Sequence, residues 1–316
     1  MKPAVSVIVP VYKVEKYIER CARNLFGQTL QDMEFIFVND CTPDRSMEIL
    51  EKVLEDYPER KPQVLFLSNE ENRGLPYTRR KGIEAASGDY LIHCDSDDWP
   101  DPEMYRKMYS KAMSENLDMV ICGARRVYPD NSVKAKPVIT HTDDLLESLI
   151  YQDLYLYTWN KLVVRKAYDN DIRYPRYNML EDAPLTIQLA YYCRSWGFID
   201  ECLYNYNYSP DSISVAWDSM EKVEQNRANV ELVLSFLEEK GLSRKYSSAV
   251  MHLKSWVKFS ALQLPRKYYL DLYPEANLPL FFDRRFTIVE RLGHLTKILG
   301  IHGISKPFRR KKPWQQ

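Results

Sequence analysis

Asp95-Ser96-Asp97-Asp98-Trp99 is the densest group of chemistry-bearing residues in the chain, and it follows directly on the apolar run Tyr90-Leu91-Ile92-His93-Cys94. Carboxylates at i and i+2 just past a buried strand can turn toward one point and bind a hard divalent cation through oxygen. Mg2+ and Mn2+ favour a few carboxylates plus phosphate oxygens, which leaves room for a diphosphate. Asp98 or Asp101 equally suits the cap of a helix starting near Pro102. Asp40 closes another apolar run, Phe35-Ile36-Phe37-Val38, with Asn39 before it. A carboxylate there can accept the imide N–H of a uracil or bond another base, and it also suits a plain turn ahead of an N-cap at Asp44. Asn72-Arg73-Gly74-Leu75 and Arg79-Arg80-Lys81 set a glycine turn and cations before the acidic strand. Arginine offers a diphosphate a bidentate fork, whereas a solvated helix face is the plainer reading for Arg80 or Lys81. Glu181-Asp182 follows an irregular stretch, 174–180. A carboxylate there can deprotonate an acceptor hydroxyl where partial burial raises its pKa, or can simply cap a helix.

The elements that must position these groups are legible as periodicities. Val5–Val11 is a β-branched run of strand length, and further strands are expected at 35–38, 64–67, 90–94 and 119–122. Between them, 13–28, 44–57, 75–86 and 102–116 carry the apolar spacing of core-facing helices. Strand alternating with helix predicts an α/β fold with a mostly parallel, doubly wound sheet, whose ligands sit beyond the carboxyl ends of the strands. Three of the expected strands run there into polar residues: Pro10-Val11-Tyr12, Asn39-Asp40 and the 95–98 acids. Past Val127 the pattern loosens, with a short helix at 142–151, a strand at 159–164 and a helix at 183–193. Beyond about Ser219 it becomes helical (221–239, 245–263).

Composition narrows the classes. The chain has 316 residues with 44 basic and 44 acidic side chains, so no net field marks a nucleic-acid binder. Apolar residues at 45% and charged residues at 28% are ordinary for a globular chain and argue against disorder. No apolar run approaches the ~20 residues of a membrane span, and no secretory leader pattern opens the chain, so a cytoplasmic setting is expected. Cys21, Cys41, Cys94, Cys122, Cys193 and Cys202 match no zinc spacing and read as reduced, mostly core thiols. Many of the 23 tyrosines cluster between 151 and 208. Trp159, Tyr174 and Tyr177 are the first candidates for stacking on an acceptor sugar, with core packing the alternative for most of the cluster. Five cations with Phe308 and Trp314 between 306 and 314 either rest on an anionic membrane or form a solvated tail.

Taken together, Val-Ile-Val-Pro-Val-Tyr (7–12), Val-Asn-Asp-Cys-Thr-Pro-Asp (38–44), Asn-Arg-Gly-Leu (72–75), Arg79, Gly88-Asp89-Tyr90 and the 95–99 group closely resemble family 2 glycosyltransferases. Trp159-Asn160-Lys161-Leu162, Glu181-Asp182 and Leu203-Tyr204-Asn205-Tyr206 extend the match to about Ser214. The resemblance implies a GT-A fold over 1–218, with a nucleotide-sugar half (1–123) and an acceptor-side half (124–218), followed by a helical extension (219–316) with a basic tail. It implies that Pro10, Val11, Tyr12 and Glu15 hold the nucleoside, that Asp40 binds the base and that Arg79 lies near the diphosphate. Asp95, with Ser96 beside it, would face the ribose and sugar, and Asp97 would ligate Mn2+ or Mg2+. Asp182 would be the base of an inverting transfer, oriented by Glu181. The donor would be a nucleotide-sugar, UDP-linked by expectation, and the acceptor a glycan or lipid-linked oligosaccharide of a cell-surface polysaccharide. Two departures stand out: Lys13 where the family usually has Asn, and Cys41-Thr42-Pro43 for a more usual Gly-Ser-Thr. A sugar nucleotidyltransferase would need a Gly-rich basic loop after the first strand, which Pro10-Val11-Tyr12-Lys13 does not supply. A non-catalytic scaffold docked at a membrane is the other alternative, against which Asp40, Asp95, Asp97 and Asp182 weigh.

Overall fold

The computed structural model describes residues 2–138, 141–208 and 219–301. The basic run at 306–314 lies outside them. The first half alternates as its periodicity requires: β1 (Val5–Val11), α1 (Ile18–Phe26), β2 (Met33–Asn39), α2 (Ser46–Glu55), β3 (Val64–Ser68), α3 (Leu75–Ala85), β4 (Tyr90–His93), β5 (Trp99–Pro100), α4 (Met104–Glu115) and β6 (Met119–Val127). There follow β7 (Val133–Lys136), α5 (Leu145–Ile150), β8 (Lys161–Val164), α6 (Arg165–Tyr168), α7 (Asp182–Tyr192) and β9 (Trp196–Asn207). The last described stretch holds α8 (Met220–Glu239), α9 (Ser247–Ser260), α10 (Arg266–Asp271), α11 (Pro279–Phe282) and α12 (Ile288–Leu299).

One sheet runs in the order β3-β2-β1-β4-β8-β6-β9-β5, with β7 paired to β6. The pairs β1–β2, β2–β3, β1–β4 and β6–β9 are parallel, while β8, β7 and β5 pair antiparallel with their neighbours. Both faces are covered, which is why β1 and β2 are apolar at nearly every position. Val5, Val7, Val9 and Val11 face a core shared with α1, α2 and α4. Ile8, Ile36, Val38 and Leu91 face a second core that continues through α5 and α7 into α8 and α9. The helices after 219 therefore bury the same apolar layer as one face of the sheet.

Two glycines set α3 in place. Gly74 has φ +84°, a left-handed backbone that side chains rarely adopt, and opens the helix. At Gly82 an added Cβ would lie 2.5 Å from Ile8 Cγ2, so α3 sits flush on β1. The long strand β9 was not expected as an element, because Asp200 and Glu201 and a bulge opposite Cys122 and Gly123 break its alternation. All six cysteines are free; Cys41 is exposed, departing from the core reading, while Cys21, Cys94, Cys122 and Cys193 are buried.

Candidate active site

Arg79, on the inner face of α3, is buried and gathers three carboxylates from distant parts of the chain. Its Nη2 donates to Asp95 Oδ1 at 2.6 Å, just past β4. Its Nη1 donates to Asp182 Oδ1 at 2.7 Å and also to Glu181, both at the start of α7. A unit charge pair at 4 Å is worth ~4 kcal/mol at an effective dielectric near 20, so three such partners fix the guanidinium firmly. Burial works against the guanidinium and against two of the acids. It pushes Asp95 above the ordinary carboxylate range with Arg79 opposing, and pushes Glu181 far above it despite the same guanidinium. The side chain expected beside a diphosphate thus turns both Nη1 and Nη2 to acids of this chain, while its buried Nε has no hydrogen-bond partner.

Asp97 follows in the turn after Asp95. Burial, then the neighbouring Asp95 charge, raises it to about 7. Asp98 is buried, accepts from the Asn207 amide at 2.7 Å on Oδ1, and has no partner on Oδ2. Ser96 is buried in the same turn. Arg20 of α1 reaches this turn: its Nη2 donates to the Asp97 carbonyl at 3.3 Å, and its guanidinium lies 3.5 Å from the centre of the Trp99 ring. Crowded oxygen donors with an orphan carboxylate oxygen suit a hard cation completed by phosphate oxygens. Among the described residues no cluster of three or more His, Cys, Asp or Glu forms a ready-made metal cage.

Asp40 sits elsewhere in the layout. Its Oδ1 accepts from Asn69 Nδ2 and the Arg73 amide, both at 2.8 Å, and its Oδ2 accepts from the Gly74 amide at 2.9 Å. With one remaining lone-pair site it builds the turn that launches α3 and so sets the position of Arg79. Pro10 and Val11 end β1, and the Val11 carbonyl accepts from the Asp40 amide at 3.0 Å. Tyr12 is exposed beyond them. Glu15 caps the approach to α2, accepting from the Arg45 amide at 3.2 Å. Lys13 and Cys41 have φ of +53° and +56°, so the two departures from the family pattern fall where Asn or Gly is the easier residue.

On the acceptor side, Thr158 Oγ1 donates to Asp182 Oδ1 at 3.0 Å. Lys161 holds the turn that carries Thr158, donating Nζ to the Tyr155 and Tyr157 carbonyls and to Asn160 Oδ1 at 2.6, 2.7 and 2.8 Å. Burial pushes its ammonium down to about 7, against the pull of Asp182. Trp159 is only 3% exposed, with Tyr157 stacked 4.6 Å from one ring and Tyr204 4.3 Å from it. An indole enclosed in this way is a wall of the site, which corrects its reading as an open stacking face. The Tyr204 hydroxyl in turn accepts from the Asp95 amide at 3.0 Å and donates to Cys94 Sγ at 3.8 Å. Tyr174 is half-buried against Arg80, with burial raising its phenol to about 12, whereas Tyr177 is exposed.

The segment leading to Glu181 is tied down at two points. Asn178 Oδ1 accepts from the Leu75 amide at 3.1 Å. Asn229, buried in α8, donates Nδ2 to the Tyr177 and Met179 carbonyls at 2.9 and 2.7 Å. Sequence reasoning missed Arg20, Thr158 and Asn229. Arg20 and Thr158 carry no local signal, but Asn226 and Asn229 interrupt the apolar stripe of α8 and could have been noticed.

Comparison with solved structures places the fold. TarS 1–349 of S. aureus in complex with UDP-GlcNAc superposes with a TM-score of 0.62 at 18% identity, covering 98% of this chain and 92% of that one. The mannosyltransferase PcManGT of Pyrobaculum calidifontis, in complex with GDP-Man and Mn2+, gives 0.56 at 13% identity over 100% and 84%. The architecture is GT-A. Among curated relatives, the uncharacterized glycosyltransferase EpsJ of Bacillus subtilis (strain 168) is 34% identical over 229 residues, 68% of this chain and 64% of its own length. The chain thus spans a little under two thirds of that relative. The putative glycosyltransferase EpsH of the same organism is 30% identical over 254 residues, 77% and 72%. The family model described as Glycosyl transferase family 2 matches residues 6–173, and the chain belongs to that family.

Proposed function

We propose that the chain is an inverting, metal-dependent glycosyltransferase of hexosyl or N-acetylhexosaminyl type. It would move a sugar from a UDP-sugar to a hydroxyl of a glycan or lipid-linked oligosaccharide during cell-surface polysaccharide synthesis. The division into a donor half, an acceptor-side half and a helical extension at 123 and 218 belongs to the same proposal. The observation that carries it is the meeting of Asp95 with Glu181 and Asp182 around one guanidinium, which joins the donor-side acids to the base candidate. UDP and UDP-GlcNAc in the TarS complexes support the choice of donor.

Asp182 is suited to its task by what it leaves open. Its bonds to Arg79 and Thr158 both fall on Oδ1, so Oδ2 is left to take a proton among the described residues. The acceptor oxygen attacks the anomeric carbon, the bond to the diphosphate breaks with its electron pair going to the leaving group, and the hydroxyl proton passes to Asp182. Glu181 and Arg79 hold that carboxylate in place. Asp97, with Asp95 beside it, is the residue to hold Mn2+ or Mg2+, which when bound supplies positive charge to the diphosphate. Pro10, Val11, Tyr12, Glu15, Asp40 and Ser96 line or shape the nucleoside side, while Tyr174 and Tyr177 flank the acceptor approach.

The test is a screen of nucleotide sugars for Mn2+-dependent hydrolysis or transfer, run with the wild type and with Asp182→Asn. The reading requires turnover that collapses in the variant while calorimetric UDP binding persists. Full transfer by Asp182→Asn sinks the role of the base. Absence of any UDP binding with Mn2+ would favour a non-catalytic scaffold.

A further inference from the structure

Beside the reacting centre, one face of β6 and β7 gathers positive charge. Strand alternation puts Ala124 and Arg126 on the same face, and the register sets Lys136 opposite Ala124 and Lys134 opposite Arg126. On the other side of β6, Tyr204 and Tyr206 of β9 stand opposite the same two residues. Arg126 is buried, with its guanidinium 5.6 and 5.4 Å from the ring centres of Tyr206 and Tyr208. Lys136 is half-buried, its Nζ donating to Tyr155 Oη at 3.3 Å and lying 5.4 Å from the centre of that ring. Burial pushes the Lys136 ammonium down to about 8, and the Arg126 and Lys134 charges push the same way.

The acids of the adjoining described segments are engaged elsewhere. Asp130 accepts from Ser132, Asp153 pairs with Arg285, Asp200 with His141 and Glu201 with Lys107. Arg125, turned by alternation to the opposite face, pairs with Asp101 at 3.6 Å. Asp182 of α7 is held by Arg79 and Thr158. Like charges gathered in a half-buried place raise the free energy of the empty protein, and an oxyanion entering between them relieves it. A planar guanidinium beside a point-like ammonium suits phosphate or carboxylate oxygens. A ladder of rings joins these cations to the reacting centre. Tyr155, Tyr157, Trp159 and Tyr204 stack in that order with centres 5.4, 4.6 and 4.3 Å apart. Tyr204 meets the Asp95 amide, and Thr158 next to Trp159 meets Asp182.

We infer that the Arg126–Lys136 face is an acceptor subsite for an oxyanion, the phosphate or carboxylate of an acidic glycan whose hydroxyl is presented to Asp182. The inference rests on the transferase reading above and adds the charge class of the acceptor. It is tested by calorimetry on the full chain with UDP and Mn2+ saturating, so that the donor side is filled. Glucose 1-phosphate or glucuronate should bind at least about tenfold more tightly than methyl glucoside, and the better of the two identifies the oxyanion. Lys136→Met keeps the aliphatic stem and drops the charge, so it should remove most of that preference while UDP affinity stays within about twofold. Arg126→Gln, with an unaltered circular dichroism melt, should do the same. Three outcomes overturn the inference: equal binding of charged and neutral sugars, a preference that Lys136→Met leaves intact, or a loss of UDP affinity in Lys136→Met as large as the loss for the anionic sugar. The last would give these cations to the donor. UDP binding without any preference for an anionic sugar defeats this inference alone, whereas no UDP binding at all defeats the transferase reading and the subsite with it.

Discussion

Arg79 is the side chain on which most depends, and its removal leaves a buried Glu181 and half-buried Asp95 and Asp182 around an uncompensated hole. Arg79→Ala should cost about 3–5 kcal/mol in urea unfolding, and Arg79→Lys should restore little, because an ammonium cannot present two forks. Asp182→Asn should lower kcat by about 100- to 10,000-fold while calorimetric UDP binding persists. Asp97 carries a pH signature. A carboxyl raised from 3.8 to about 7 in the folded state favours the protonated form there, so its contribution is present at low pH and lost as pH climbs through that range. Asp97→Asn should therefore flatten the fall in Tm between about pH 4 and 7, and Mn2+ with UDP should stabilise the wild type more at pH 8 than at pH 6. Residue identity was legible wherever a charge stood at a strand end, as at Asp95 and Asp97. Partnership was not: nothing local reveals that Arg79 turns to Glu181 across a hundred positions, nor that Trp159 is enclosed between two tyrosines.

Among the elements, α8 matters beyond its length. Asn229 clamps the loop that delivers Glu181 and Asp182, so Asn229→Ala should lower kcat by about tenfold with donor KM unchanged. A general loss of stability would instead lower both binding and turnover, and Asn229→Asp, which cannot donate to the two carbonyls, should resemble the alanine variant. The loops after β1 and β2 carry a smaller strain. Cys41→Gly relieves a left-handed backbone and should raise stability by about 0.5–1 kcal/mol, read as a higher Tm. Elements with unbroken periodicity, such as β1, β2 and α3, could be drawn from the sequence nearly to their ends. Strand β9 could not, because its charged centre and its bulge hide the alternation that the partner β6 restores.

At the scale of the molecule, the apolar layer beneath the sheet is completed by α8 and α9, with Val230, Val233, Leu253 and Val257 all buried in it. A fragment ending at 218 should therefore expose that layer and aggregate, rather than fold as a smaller transferase. Helical character after 219 was plain in the sequence, but the dependence of the front half upon it was not, since a helical pattern does not say which surface it covers. The ion cluster around Arg79 has one more consequence. With the Arg79 guanidinium already neutralised from within, that side chain has little positive charge left to offer a pyrophosphate, and the visitor must bring its counterion along. Bare UDP should thus be a poor guest, and its affinity in calorimetry should climb steeply once manganese is supplied.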